Sequence, residues 1–311
     1  MTKLAHAPVL LDEVLENLRV KPNGIYVDAT FGRGGHASEI LQRLGPEGRL
    51  LALDKDPEAI QVAIETPMFK DQRFSIKQGS FAMLNKYLVA DGLFGKVDGI
   101  LLDLGVSSPQ LDNPTRGFSF NQDGPLDMRM DHSRGMDAAT WINSAAANEI
   151  KRVLKEYGEE RDAFRIARAI VQEREKNAIV STGQLANVIA KVRPKRHYET
   201  KHPATRSFQA IRIFINAELE DLIDVLPQCV EALAVGGRLA VISFHSLEDR
   251  IVKRFITKNS SDDLPKDLPI AQTLTLPRLG RIGRALKASD QEVSSNPRAR
   301  SAILRVAEKL R

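Results

Sequence analysis

The sequence holds a single cysteine, Cys229, among 311 residues. One thiol excludes an internal disulfide and any cysteine-built zinc cluster. Aromatic residues make up only 5% of the chain, with one tryptophan, so the core has to be mainly aliphatic. No apolar run is long enough to span a bilayer. The opening Met1-Thr2-Lys3-Leu4-Ala5-His6 lacks the apolar core of a signal peptide. These absences predict a cytoplasmic protein with no membrane partner. Acidic residues are in slight deficit, 40 against 45 Lys and Arg, leaving a net charge of +5. A mild excess of this kind is compatible with a nucleic-acid partner but does not require one.

What is present is organised around Tyr26-Val27-Asp28-Ala29-Thr30-Phe31-Gly32-Arg33-Gly34-Gly35-His36. A short β-branched and aromatic run reads as a buried strand. The glycines after it let backbone approach a ligand, and a following helix offers unpaired N–H groups at its start. Gly32-x-Gly34-x-x-Ala37 fits the loose dinucleotide pattern, which by itself is weak. Asp28 decides between cofactors. A carboxylate beside a pyrophosphate is repelled, whereas S-adenosylmethionine carries a cationic ammonium and sulfonium. The stretch therefore predicts S-adenosylmethionine over NAD.

Further strands follow in a regular rhythm. Arg49–Asp54 ends in an acid about twenty residues after the glycine loop, where related folds place a carboxylate on ribose hydroxyls. Asp56, just before Pro57, is expected to cap the next helix. Arg73–Gln78 leads to Phe81, which is placed either to pack on an adenine or in the core. Val97–Asp103 ends in a third acid and runs into Leu104-Gly105-Val106-Ser107-Ser108-Pro109-Gln110. Strands alternating with helices imply an α/β fold with a mostly parallel, doubly wound sheet. Asp28, Asp54 and Asp103 should converge at the carboxyl ends of its strands.

From Asp112 to Ser207 no convincing strand occurs. Asn113 to Arg134 reads as a long ordered loop, and amphipathic helices follow, one of them stopped at Gly158. The chain thus divides into a sheet domain in two parts, 1–111 and 208–311, with a helical domain at 112–207 inserted between the fourth and fifth strands. The most basic window spans this junction: Lys191, Arg193, Lys195, Arg196, Lys201 and Arg206, interleaved with His197, Tyr198 and His202. It is either a solvated face or an RNA contact. No acidic or cysteine partner stands at ligand spacing from the two histidines, so no metal is expected.

The fifth strand, Arg238–Phe244, opens into His245-Ser246-Leu247-Glu248-Asp249. Ser246 and Asp249 resemble a capping box, which leaves His245 free at the strand mouth. Without a G-x-S-x-G elbow this is not a hydrolase triad. Residues 260–300 read as basic loop, and Ala302–Ala307 as a final strand.

Several longer motifs now stand together. They are His-x-Pro-Val-Leu-Leu-Asp-Glu at 6–13, Asp-Ala-Thr-Phe-Gly-Arg-Gly-Gly-His at 28–36 and Asp-Leu-Gly-Val-Ser-Ser-Pro-Gln-Leu at 103–111. Further along come Arg-Gly-Phe-Ser-Phe at 116–120, His-Pro-Ala-Thr-Arg at 202–206, Ser-Phe-His-Ser-Leu-Glu-Asp-Arg at 243–250 and Asn-Pro-Arg-Ala-Arg-Ser at 296–301. Over nearly its whole length the chain resembles the bacterial small-subunit ribosomal RNA cytosine-N4 methyltransferases, the MraW/RsmH family. Ala7 stands where that family often has threonine.

The resemblance implies a class I S-adenosylmethionine-dependent methyltransferase with an inserted helical domain, acting on the N4 amine of a cytidine in the decoding centre. It implies the small ribosomal subunit and its 16S RNA as partners, with a homodimer left open. Cofactor contacts are implied at Gly34, Gly35, His36, Asp54, Phe81, Asp103 and Gln110. The residue pattern alone reaches all of these but His36 and Gln110, and adds Asp28 and Gly32.

An exocyclic amine is a poor nucleophile, so its N–H needs a positioned acceptor. Ser107-Ser108-Pro109-Gln110 lies where amino methyltransferases carry a polar-Pro motif, though it lacks the usual aromatic after proline. Asp103, Ser107 and Ser108 are alternatives for the acceptor, with His245 as a further candidate. C5 methylation needs a cysteine nucleophile, and Cys229 lies away from every motif.

Overall fold

The computed structural model describes residues 8–195, 202–260 and 276–311. Its contacts separate two compact units, 1–105 with 219–311, and 106–218.

The first unit is a seven-stranded sheet: β1 (Ile25–Asp28), β2 (Arg49–Asp54), β3 (Phe74–Gln78), β4 (Val97–Asp103), β5 (Leu233–Ser243), β6 (Leu279–Lys287) and β7 (Ile303–Lys309). Their spatial order is β3-β2-β1-β4-β5-β7-β6. β1 to β5 are parallel, β7 is antiparallel to β5, and β6 is antiparallel to β7. The direction of winding reverses between β1 and β4, which makes their carboxyl ends the switch-point crevice. This is a doubly wound, Rossmann-like sheet, as the family resemblance implies.

The central strands are apolar on both faces because both are covered. Tyr26, Ala52, Leu101, Ala240 and Ile242 face a core shared with the helices Leu11–Leu18 and Gly35–Arg43. Val27, Leu51, Leu53, Leu102 and Val241 face the opposite core, with Leu222, Leu226, Val252 and Ile256. Burial of each such Leu or Ile is worth about 1.5–3 kcal/mol, so the sheet is held mainly by these two apolar layers.

β5 begins earlier than its sequence pattern suggests. Leu233 pairs with Val97, and the ladder then shifts to pair Gly99 with Arg238. Gly236, at φ 80°, takes up the irregularity. β6 and a short helix, Asp290–Ser295, occupy part of a stretch expected to be loop. The register of β6 shifts between Ile282 and Leu286 around Gly283, at φ 61°. That bulge breaks the two-residue alternation by which a strand is recognised.

The second unit is helical. Helices Ala138–Ser144, Ala147–Gly158, Ala163–Arg174, Thr182–Val192 and Thr205–Asn216 enclose Ile142, Ile150, Leu154, Ile166, Ile170, Leu185, Ile189 and Ile211. Its bounds are wider than the 112–207 expected from sequence. Val106 and Leu111 pack on this helical core, and at the other end Arg212 holds Glu218 through two hydrogen bonds of 2.8 Å. The segment 113–137 is sewn down rather than loose. The buried Arg116 guanidinium donates to the carbonyls of Arg129 and Met130, and Asn216 bonds the Met130 N–H and the Met128 carbonyl. Gly158 is not the stop. It is helical, and a Cβ there would stand 2.7 Å from the Arg206 carbonyl. Glu159, at φ 48°, makes the left-handed turn.

Candidate active site

Asp28, Asp54 and Asp103 each stand two residues beyond a side chain of the same core, namely Tyr26, Ala52 and Leu101. The two-residue period of a strand therefore puts all three carboxylates on one face of the sheet, at its carboxyl edge. The turns after these strands are tied together. The Thr30 N–H donates to Asp28 Oδ1 at 3.1 Å, and Thr30 Oγ1 accepts the Asp103 N–H at 2.6 Å.

The Gly32 N–H donates to Asp54 Oδ2 at 2.7 Å and the Asp56 N–H to Oδ1 at 2.8 Å. Asp56 caps its helix as expected, with Oδ1 accepting the Glu58 N–H. Gly34 takes φ 75° and precedes the helix Gly35–Arg43. A Cβ on Gly34 would meet the Phe69 ring at 2.5 Å, so close packing as well as backbone conformation requires glycine there.

Burial, and after it clustering, makes the acids weak. Burial first, and then the charge of Asp54, push the Asp28 carboxyl up to about 7, against the opposing Thr30 N–H. Burial raises Asp54 to about 6, although two backbone N–H groups favour its charged form. Burial and the charges of Asp28 and Glu248 hold Asp103 well above the usual carboxylate range. Asp103 Oδ1 is buried with no hydrogen-bond partner among the described residues.

His36, only 5% exposed, stands against this cluster. Its Nε2 lies 3.0 Å from the Val9 carbonyl. A carbonyl only accepts, so Nε2 carries the proton. Burial pushes the imidazole down to about 4, hence neutral. The bare Nδ1 then faces Asp103 Oδ2 at 3.6 Å, one acceptor toward another whenever Asp103 is ionised. A crevice with mutually repelling carboxylates and an orphaned carboxylate oxygen fits a small cationic ligand. S-adenosylmethionine has that chemistry, with its ammonium, its sulfonium and ribose hydroxyls to donate.

The remaining expected residues are placed as follows. Phe81 is half-buried against the core containing Leu84 and Leu88, and Lys55 Nζ lies 6.0 Å from its ring centroid. Gln110 belongs to the helical unit, where it is buried and its Oε1 accepts the Ser107 N–H at 2.8 Å. Ser107 immediately precedes the short helix Ser108–Asp112, also in that unit. His245 is not free at the strand mouth. The helix starts at Ser246, so Glu248, not Asp249, is its third residue. Glu248, 2% exposed, accepts the N–H groups of Phe244 and His245 on Oε2. The ring of His245 folds over the same turn: Nδ1 accepts the Glu248 N–H at 3.4 Å, while Nε2, 3.1 Å from Glu248 Oε1, is out of hydrogen-bond geometry and has no hydrogen-bond partner among the described residues. Asp249 instead makes a two-pronged pair with Arg305.

Sequence reasoning misses Glu248, whose offset by one position from Asp249 is the available signal. It also misses Asp221, which lies 2.5 Å from both Lys55 Nζ and Ser80 Oγ and so fastens the turn bearing Phe81. No local pattern announces a partner 141 residues away.

The basic window is less available than its composition suggests. Lys191 and Lys195 are exposed. Arg193 turns inward, its Nε 3.2 Å from the buried Glu160, and Arg206 donates to the Glu159 carbonyl. Arg196 and Lys201, with His197 and Tyr198, lie outside the described residues.

The model of the MraW methylase family matches residues 3–310. A protein of Coxiella burnetii named ribosomal RNA small subunit methyltransferase H is 59% identical over 306 residues, covering 98% of this chain and 99% of the relative. One of the same name from Thiobacillus denitrificans is 58% identical over 308 residues, covering 98% and 97%. A solved structure from Clostridium thermocellum, described as a putative rRNA-methylase, has 14% identity and a TM-score of 0.46, with coverage of 98% and 100%. The chain belongs to the MraW methylase family, and S-adenosylmethionine is its cofactor.

Proposed function

We propose that this protein transfers a methyl group to the exocyclic N4 amine of a cytidine in small-subunit ribosomal RNA, near the decoding centre. The observation that carries the proposal is the set of three strand-end carboxylates on one face, in a chain matched over nearly its full length by relatives named for that RNA. When bound, the cofactor supplies an electrophilic methyl on a sulfonium. Asp54, held by two backbone N–H groups, presents its free lone pairs to the ribose hydroxyls. Asp103 uses its unpartnered Oδ1 for the methionine ammonium, and Asp28 adds negative charge behind it. His36, anchored through Nε2 to the Val9 carbonyl, walls the Asp103 side of the cluster. Gly32, Gly34 and Gly35 admit the methionine end close to backbone, Phe81 packs on the adenine, and Gln110 supports the Ser107 turn.

The amine keeps its lone pair conjugated with the ring until an acceptor draws on its N–H. Ser107 and Ser108, four and five residues after Asp103, take that role in the proposal. His245 does not, since its Nδ1 already accepts the Glu248 N–H, which leaves the proton on Nε2 and no free acceptor nitrogen on the ring. The helical unit, 112–207 by sequence and 106–218 by contacts, recognises the RNA, with Lys191 and Lys195 among its phosphate contacts. C5 chemistry is disfavoured because the sole thiol is buried and burial pushes its pKa far up, away from a thiolate.

The test is labelled methyl transfer to purified small subunits and to naked RNA, followed by nucleoside analysis. N4-methylcytidine formed on subunits is the expected product. A label on C5, or transfer to a small molecule alone, sinks the proposal. Ser107→Ala and Ser108→Ala should lower kcat at saturating cofactor on the order of a hundredfold, the scale of a positioned proton acceptor. Parental rates in both would leave the loop a structural turn.

A further inference from the structure

The helix Ser246–Ser260 starts at the mouth of β5 and runs outward for about 22 Å, at 1.5 Å per residue. It has two acids, and both are engaged inward: Glu248 is buried under the β5 turn and Asp249 is paired with Arg305. What remains on its exposed side is cationic. Arg250, Lys253, Arg254 and Lys258 are all exposed, at the spacing that shares one helix face. The far end of this helix is tied to β6. The Arg278 N–H donates to the Asn259 carbonyl at 3.0 Å, and Arg281 donates to Thr257 Oγ1 at 3.1 Å. β6 is one of the two edge strands, and its bulge at 283–285 carries Arg284, with Lys287 beyond it. Among the described residues, no carboxylate lies within ion-pair distance of Lys253, Arg254, Lys258, Arg284 or Lys287.

Cations on an edge strand have a plainer use, to discourage pairing with another chain. That accounts for β6 but not for a helix, which has no open edge. Exposed Leu276 and Leu310 add a little apolar surface, as a membrane-binding face would have, but no stripe of apolar residues accompanies the helix cations. Lys253, Arg254 and Lys258 thus form a row of cations with no ion pair among the described residues, on the helix that starts at the mouth of β5, and such a row is suited to a polyanion lying along it.

We propose that Lys253, Arg254, Lys258, Arg281, Arg284 and Lys287 form a phosphate track on the sheet-bearing unit, holding RNA that flanks the target nucleotide. The track rests on the functional proposal above, because it takes the same RNA. It shares no residue with the Lys191–Arg206 window.

Two variants test it, Lys253→Glu with Arg254→Glu, and Arg281→Glu with Arg284→Glu. Binding to purified small subunits is measured across a salt series, together with S-adenosylhomocysteine binding and melting temperature. Every phosphate that the track no longer holds should flatten the log–log salt slope by about 0.7–0.9. Either variant should therefore bind subunits at least tenfold more weakly in low salt, with unchanged cofactor-product affinity and melting. The charge-keeping Lys253→Arg with Arg254→Lys should bind as the parent does. Unchanged slope and affinity in both reversed variants overturn the track, and so does weakened binding to anionic vesicles with subunit binding intact. Should a reversal lower the melting temperature, Gln replacements at the same positions are read by the same criteria. Nucleoside analysis on the parent chain tests the reaction itself, so failure of the track and failure of the functional proposal give different results.

Discussion

The acids at the ends of β1, β2 and β4 and the cations of the Lys191–Arg206 window represent two ways of using charge. The acids are few, enclosed and close enough to raise one another's pKa. The cations are dense in sequence, yet those described differ in exposure and partners. Enclosed charge acts through short contacts in low dielectric, so each residue matters greatly and salt matters little. Exposed charge acts collectively and is screened. Counting charges in a window therefore misjudges both regions: it undervalues three isolated acids and overvalues an arginine with a buried partner.

Arg193 is the sharpest challenge to that contrast and carries the largest expected effect. It belongs to the basic window by sequence, but to the enclosed class by geometry, pairing with Glu160 at 3.2 Å. Arg193→Ala leaves a buried carboxylate without its counter-ion and should destabilise the fold by about 3 kcal/mol. Denaturant melts would measure it. A change below about 0.5 kcal/mol, the level of an ordinary surface substitution, would place Arg193 with the solvated cations after all.

Asp54→Ala follows in size. Removing a charged hydrogen-bond acceptor for the ribose should weaken cofactor binding by about 1.5–3 kcal/mol. Calorimetry in low and high salt should give nearly the same reduction, which is the mark of an enclosed site. A reduction that vanishes in high salt would move Asp54 into the exposed class.

The third effect is on pH. Asp28 titrates at about 7 in the folded chain, against the ordinary carboxyl value of 3.8. Between those values the folded state holds a proton that the unfolded state has released. The contribution of Asp28 to stability is therefore full below pH 3.8 and is lost as pH rises through about 7. A cationic cofactor favours the ionised form, so its affinity should move the other way. Affinity should fall as pH drops from about 8 to about 6, by at most about tenfold per unit for one linked proton. Asp28→Asn should flatten that dependence. If the variant keeps the parental slope, the linked proton sits elsewhere in the cluster, on Asp54 or Asp103.

How much of this is legible before folding follows from the range of the interactions. The strand-end acids are visible because strand period, glycine loop and carboxylate lie close together in the chain. The β4 bounds, Val97–Asp103, are those the sequence predicts. β6 is hidden because its bulge at Gly283 and its polar edge erase alternation. Gly158 reads as a stop because its packing partner, Arg206, is remote in sequence. His245 reads as free through a choice between two adjacent acids that only the helix start resolves. The Arg193–Glu160 pair spans 33 residues and has no sequence signal at all.

Lys195 completes the comparison with the smallest effect. It is exposed, and among the described residues no carboxylate lies within ion-pair distance of it. Lys195→Glu should leave the melting temperature unchanged, because the side chain has no ion pair among the described residues to break. If it touches one phosphate, removing that contact should flatten the salt slope of subunit binding by about 0.7–0.9. The weakening should be severalfold in low salt and fade as salt rises. Arg193 and Lys195 are near neighbours in the chain, so the pair of variants holds local sequence nearly constant while changing geometry. Arg193→Ala should move stability more than the salt slope, and Lys195→Glu the salt slope alone. Should Lys195→Glu leave the slope untouched, the described part of the window is a solvated face, and RNA recognition by the helical unit has to be sought outside it.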